Sequence, residues 1–267
     1  MPALPTILYH DETIIAIDKP SGLLVHPSAD ASDRITCLSV VRDMTGRYVY
    51  PLHRLDRGTS GVILMGLDVE TTRAMQGAFA RREVAKRYWA VVRGWMTEDV
   101  LYDRPLRKRG TDDGREEAVT SVHPLGCGTL PYPVGRYEEA RYSLVEARPV
   151  TGRRHQIRRH LSNNDHPILG DAVHGDGRHN RLLRQLFSCH HLLLHAAAIT
   201  FTHPHTSERL TIRTPLPADM VAICDRLGWS DVVEEWNNTS VATPVAGVGG
   251  QGSGVGVQGA GVGGRES

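Results

Sequence analysis

Residues 53–61 read HRLDRGTSG and set one carboxylate, Asp56, between the guanidinium groups of Arg54 and Arg57. A carboxylate fenced by two cations has the look of a placed charge, although an ordinary charged loop would read the same way. Thr59 and Ser60 can bond back to the turn, and Gly58 and Gly61 admit unusual dihedrals, so the backbone under Asp56 can be rigid. By spacing alone, however, an Asp in such a turn is more often a turn-former than a reagent.

Two further stretches could carry chemistry. GRRHQIRRH (152–160) holds four arginines. Read as a helix from its first residues, it sets Arg154 with Arg158, and His155 with Arg159, on shared faces four residues apart. One face could meet phosphates while one Arg turns inward to a carboxylate; the plain alternative is a solvated helix. KRYWAVVRG (86–94) begins a β-rich run with Tyr88, whose ring could meet a planar ligand, although a strand Tyr is usually core.

The elements that would position these residues are mixed. TIIAIDKP (13–20) reads as a strand stopped by Pro20 and Gly22. A helix is predicted from Ile35 to Arg42, before Gly46. VILMGL (62–67) is a buried strand directly after the HRLDRGTSG turn, and Asp68 caps a helix running to about Arg82. YWAVV (88–92) and ARYSLVEARP (140–149) are strands, whereas Leu101–Tyr137 is polar and reads as a decorating excursion. LLLHAAAITFTH (192–203) and ERLTIRTP (208–215) are strands, followed by a helix from Asp219 to Leu227 with Gly228 just past its end. No βαβ nucleotide fingerprint occurs, so the class is α+β.

The 267 residues are 40% hydrophobic, enough for a sizeable core, and the net charge of +1 identifies no partner. Local charge is more informative. From Pro149 to His190 there are seven Arg and six His against three Asp, a candidate phosphate-binding face. Four dispersed cysteines form no CxxC pair, and no apolar run reaches the ~20 residues of a membrane span. The expected setting is reduced and cytoplasmic. From Val241 onward glycine dominates; the expected division is a catalytic domain at 1–239 and a disordered tail at 240–267.

Together, HRLDRGTSG, KRYWAVVRG and GRRHQIRRHL resemble, in order and spacing, the RluA family of pseudouridine synthases, with patterns HRLDxxTSG, KxYxAxVxG and GRxHQIRxH. DKPSGLLVHP (18–27) and LLLHA (192–196) add support, and the resemblance runs from about Leu8 to Trp229. It implies a mixed, mainly antiparallel sheet flanked by helices, without the S4-type RNA-binding domain of many ribosomal relatives. It implies Asp56 as nucleophile, Arg158 as its ion-pair partner and Tyr88 as the aromatic group at the base; whether attack falls on uracil C6 or ribose C1′ stays open. Arg54 matches the residue that enters the space left by a flipped nucleotide. His53, Arg57, Arg153, Arg154 and Arg159 are the further RNA-contact candidates, His53 chiefly as an organiser. Lys19 and His195 are expected to be structural or RNA-contacting, with the structural reading favoured. No metal and no cofactor are implied. VRGW (92–95) and ILGDAVHGDGRHNR (168–181) are most similar to members acting on tRNA at uridine 65, which makes tRNA the expected partner of a monomer. A ribosomal RNA target, or a non-catalytic RNA-binding factor, are the alternatives.

Overall fold

The computed structural model describes residues 3–27, 35–108, 110–111, 114–239 and 242–244. In chain order its elements are β1 (Thr6–His10), β2 (Ile14–Lys19), α1 (Cys37–Thr45), β3 (Tyr50–Pro51), β4 (Ser60–Gly66), α2 (Val69–Ala80), β5 (Ala85–Arg93), β6 (Val100–Asp103), β7 (Leu106–Arg107) and β8 (Arg115–Glu116). There follow β9 (Val119–Leu130), β10 (Ala140–Pro149), α3 (Gln156–Ser162), α4 (Gly177–Phe187), β11 (Leu194–Thr202), β12 (Arg209–Arg213), α5 (Ala218–Arg226), α6 (Ser230–Asn237) and β13 (Ala242–Pro244). The α+β class is borne out.

One sheet dominates, in the order β1-β2-β4-β11-β5-β10-β9-β6, with β3 added to β4 and β12–β13 added to β11; β7 and β8 form a separate hairpin. β4 and β11 make the one parallel pairing between named strands, through His195–Ser60 and Ala196–Gly61. On its other edge β11 runs antiparallel to β5, where Ala196 faces Tyr88. The start of β4 and Tyr88 therefore lie at one level of the sheet, on either side of Ala196. The close approach needs Gly61: its φ is +107°, and a Cβ there would sit 2.3 Å from the Ala196 carbonyl oxygen.

The core follows the predicted strands. Ile14, Ile15, Ile17, Ile63, Leu64 and Met65 are fully buried across β2 and β4. Asp68 caps α2 as expected, its Oδ1 accepting the Thr71 N–H at 2.7 Å. Thr36 and Ser39 form a capping box that starts α1 at Cys37, two residues later than predicted.

Three expectations change. Leu101–Tyr137 is no mere decoration: it contains β6 and the twelve-residue β9, which extends the main sheet beside β10. Its strand pattern is masked by Pro124, which sits at a register shift, and by Gly126, where a Cβ would strike the Trp229 ring at 2.6 Å. The glycine is there to admit a neighbour, not to make a turn. Second, the helix of GRRHQIRRH starts only at Gln156, because His155 adopts a left-handed backbone, φ +53°. Arg154 and His155 therefore precede the helix, and no helical i, i+4 spacing relates them to Arg158 and Arg159. Third, Ala242–Pro244 pair with β12, so the sheet reaches past the boundary expected after Thr239; residues 245–267 lie outside the described residues.

Candidate active site

Two sequence segments interlock beneath Asp56. Gly22 N–H donates to the Arg57 carbonyl (2.8 Å), Arg57 Nε donates to the Gly22 carbonyl (3.0 Å), and Ser21 Oγ donates to the Gly58 carbonyl (2.7 Å). The buried ammonium of Lys19 uses its three donors on the Pro20, Leu23 and Arg57 carbonyls at 2.9, 2.7 and 3.1 Å. Burial lowers its pKa to about 8, while Cys37 and Asp56 pull the other way. Thr59 contributes its N–H, which donates to the Asp56 carbonyl, and Ser60 Oγ pairs with buried His195 Nδ1 at 2.9 Å. The Lys19 ammonium and His195 Nδ1 thus brace the turn from within the fold.

His53 closes the same turn: its Nε2 accepts the Leu64 N–H at 3.0 Å, and its ring lies 5.2 Å from that of Phe79. That acceptor role needs a neutral ring, and burial, helped by nearby Lys86, pushes its pKa down to about 3. It is an organiser of the turn.

The partner of Asp56 comes from α3. Gln156 anchors the helix: its Nε2 donates to the Val119 carbonyl and Thr120 Oγ1, and its Oε1 accepts from Thr151 Oγ1 and Arg153 N–H. All four of its bonds are made, and its two donors tie α3 to β9, the strand that the sequence concealed. One turn on, His160 Nδ1 meets Thr120 Oγ1 at 3.0 Å. Held this way, Arg158 points inward. Its Nη1 donates to Asp56 Oδ2 at 2.9 Å, and its Nε and Nη2 grip both oxygens of Asp171 at 2.7 and 2.8 Å. Asp171 is fully buried, whereas the Asp56 side chain is 23% exposed. Burial alone would raise the Asp171 pKa, but Arg158 and the His174 and Val173 N–H groups bring it below the ordinary carboxylate value. Among the described residues, no hydrogen bond to Asp56 Oδ1 accompanies the one to Oδ2.

Tyr88 stands on β5 between two halves of the core. Burial, and secondarily the charge of Asp56, raises its phenol pKa, so it is a neutral O–H donor at ordinary pH. Asp56, Tyr88 and Arg158 line one cleft of about 640 Å³, together with His53, Arg54, Lys86, Arg153 and Arg154. Arg54 and Arg154 are exposed. Arg153 is half-buried, with Nε donating to the Glu117 carbonyl at 3.0 Å. Two expected contact residues lie off this cleft. Arg57 braces the turn, and Arg159 lines an adjoining basic groove with Arg107, Lys108, Arg154, His155 and His174. Sequence reasoning missed Asp171, because nothing in the spacing links it to an arginine thirteen residues earlier.

With this geometry the similarities to known proteins fall into place. The sequence profile of the RNA pseudouridylate synthase family matches residues 13–163, more than half of the chain. The chain belongs to the RNA pseudouridylate synthase family. The pseudouridylate synthase from Vibrio cholerae called tRNA pseudouridine synthase C is 40% identical over 235 residues, covering 84% of this chain and 96% of its own. The protein of that name from Salmonella typhi is 40% identical over 239 residues, 86% of this chain and 92% of its own. The Pectobacterium carotovorum protein is 40% identical over 240 residues, and the match spans 86% of this chain but only 64% of that longer one. Among solved structures, Human RNA Pseudouridylate Synthase Domain Containing 4 is similar with a TM-score of 0.64 and 25% identity, covering 83% of this chain and 92% of that one. Human RNA Pseudouridylate Synthase Domain Containing 1 gives the same TM-score at 23% identity, over 80% and 84% of the two chains, and supports the shared fold.

Away from the cleft, Cys189, His191 and Asp219 bring one possible metal ligand each within 4.8 Å of one another. Here His191 is paired with Asp219, which raises the His191 pKa to about 10. None of the three lines the cleft. Among the described residues, no helix is long and apolar enough to cross a membrane.

Proposed function

We propose that this chain is a tRNA pseudouridine synthase that uses Asp56 as its nucleophile and acts on the uridine at tRNA position 65. The observation that carries this reading is the half-held carboxylate. Asp56 Oδ2 is tied to Arg158 inside a cleft that also presents Tyr88, which leaves Oδ1 to attack. The tRNA target rests on the names of the similar bacterial proteins, and position 65 on the motif resemblance.

The reaction balances without any redox partner. The bond from uracil N1 to ribose C1′ breaks, a bond from C5 to C1′ forms, C5 loses its proton and N1 gains one. Arg158 keeps Asp56 ionised, and Asp171 keeps Arg158 aimed. A uridine in a stem must leave its stack before Asp56 can reach it, at a cost of a few kcal/mol. Exposed Arg54 at the cleft wall suits the vacated space, since a guanidinium plane both stacks and pairs with phosphate. Arg153 and Arg154 at the cleft, and Arg159 in the adjoining groove, suit the phosphates of the RNA backbone. Tyr88 starts as a proton donor and ring surface. Once Asp56 is covalently engaged its charge is gone, and with it one of the two causes that raise the phenol pKa. A monomer in the cytoplasm, with its cysteines reduced, fits this role.

The test is release of tritium to water from a tRNA transcript carrying uridine tritiated at C5, followed by carbodiimide mapping of the product. The expected result is one tritium released per tRNA and a single stop at position 65. Release from ribosomal RNA alone would move the target, and no release from any RNA would overturn the reading.

A further inference from the structure

The nucleophile sits in a ring of polar groups that continues beyond Arg158 and Asp171. Beyond Arg158, Asp171 Oδ1 accepts the backbone N–H of His174 at 2.9 Å. Ser162 Oγ on α3 donates to the His174 carbonyl at 2.7 Å, so this residue is pinned from both sides. The His174 Nε2 then lies 2.9 Å from His155 Nδ1, with the two rings edge to face. The ring closes where His155 Nε2 stands 3.9 Å from Asp56 Oδ2, the oxygen that Arg158 already holds. His155 is delivered to this spot by a left-handed backbone, which a non-glycine residue adopts at some cost.

Both imidazoles are neutral near pH 7. Burial is the main cause, bringing His155 down to about 4 and lowering His174, and nearby arginines add to it. Each ring then carries one proton, and the short N···N contact needs one donor and one acceptor. If His155 donated from Nδ1, its Nε2 lone pair would face the Asp56 carboxylate, which is repulsive. If His174 donates from Nε2, His155 carries its proton on Nε2 and turns an N–H toward Asp56. The charge of Asp56 selects the second arrangement.

We infer that His155 is a positioning residue for Asp56, its tautomer selected by the Asp56 charge and coupled to that of His174, and that its Nε2–H becomes a second donor to Oδ2 when substrate closes the cleft. The reason for closure is geometric: 3.9 Å is too long for a hydrogen bond, and catalytic contacts commonly tighten only in the complex. Two donors from different directions would fix the carboxylate plane and leave Oδ1 aimed at the nucleoside. This inference rests on the reading of Asp56 as nucleophile, and its test separates the two.

The first arm needs no activity. Long-range proton–nitrogen correlation spectra of the full chain, labelled with nitrogen-15 in its histidines, distinguish the two tautomers. His155 is expected as the Nε2–H form in the wild type, with an Nδ1–H population appearing in Asp56→Ala. A wild-type His155 in the Nδ1–H or the doubly protonated form at pH 7 would overturn the inference, whatever the enzyme does. The second arm is kinetic. His155→Asn tolerates the left-handed backbone and still reaches His174, but has no group at the Nε2 position. It is expected to lower kcat about tenfold with KM for tRNA within twofold, as befits loss of one donor to a charged group. His155→Gln, which restores an N–H at that reach, is expected to recover most of the loss. An unchanged kcat in His155→Asn, or equal losses in both variants that merely track their melting temperatures, would also overturn it. Should the wild type form no pseudouridine in any RNA, the proposed function fails, and the spectra alone decide the role of His155.

Discussion

Asp56, in the turn before β4, and Glu146, on β10, are both held by arginines, and they are held differently. Glu146 on β10 is 1% exposed, and both of its oxygens are occupied: Oε1 accepts from Arg148 Nε at 2.5 Å, and Oε2 from Arg87 Nε at 2.6 Å and from Trp89 Nε1. Arg87 in turn lies over the Trp236 ring at 5.0 Å. Asp56 is bound through one oxygen, and its side chain stays 23% open to a cleft. The cation that binds it is itself locked from behind by buried Asp171. A carboxylate engaged through both oxygens and shut away from solvent is out of reach of a substrate and serves the fold. A half-held one keeps its charge and direction without being used up. The difference lies in how many oxygens the arginines cover, and the charges themselves are alike.

The contrast can be broken at several points. Arg158→Ala has the largest expected effect, because it leaves Asp171 buried without its cation and Asp56 without its anchor. It should lower stability by about 3–5 kcal/mol in denaturant titrations and abolish tritium release even by the folded fraction. Glu146→Gln should cost about 1–3 kcal/mol, since a neutral amide bonds the arginines more weakly, yet leave kcat per folded molecule unchanged. A loss of kcat there would erase the distinction between the two carboxylates. Acid should act on the neutral histidines first. His53, His155 and His195 are lowered from 6.5 to about 3, 4 and 4, chiefly by burial. Below pH 6.5 the unfolded chain takes up protons that the folded chain refuses, so melting temperature should fall steadily from pH 7 to pH 5. Asp171 and Glu146, whose pKa values are lowered, add a further loss only as pH falls below about 4.5. His191 behaves oppositely: its raised pKa gives stability that is complete below 6.5 and lost as pH rises toward 10. The smallest effect belongs to Arg54→Ala, which should raise KM several-fold and reduce the slope of log binding constant against log salt by about 1. A change in kcat alone would move Arg54 from RNA contact to chemistry.

Much of this site was legible because its parts lie in compact motifs. Asp56, Tyr88 and Arg158 each stand in a stretch whose residue types are unusual together, and all three line one cleft. Asp68 likewise announced α2 through a cap that is purely local. What stayed hidden depends on distant partners. The glycine at 126 reads as a breaker until Trp229 is found against it, so β9 reads as part of a polar excursion. The helical spacing of GRRHQIRRH suggested pairs that the left-handed His155 dissolves. Asp171 and His174 sit in a polar loop with no periodicity, and only the folded chain brings them behind Arg158 and His155. Strand β13 forms because β12 offers it an edge, which composition cannot reveal.

The most direct measurement is single-turnover tritium release by Asp56→Ala, with wild type and Glu146→Gln run in parallel on the same tRNA. The account predicts no release from Asp56→Ala, with its melting temperature close to wild type, and full release from Glu146→Gln. Release by Asp56→Ala at anything near the wild-type rate would contradict it, because the attacking oxygen would then belong to another residue.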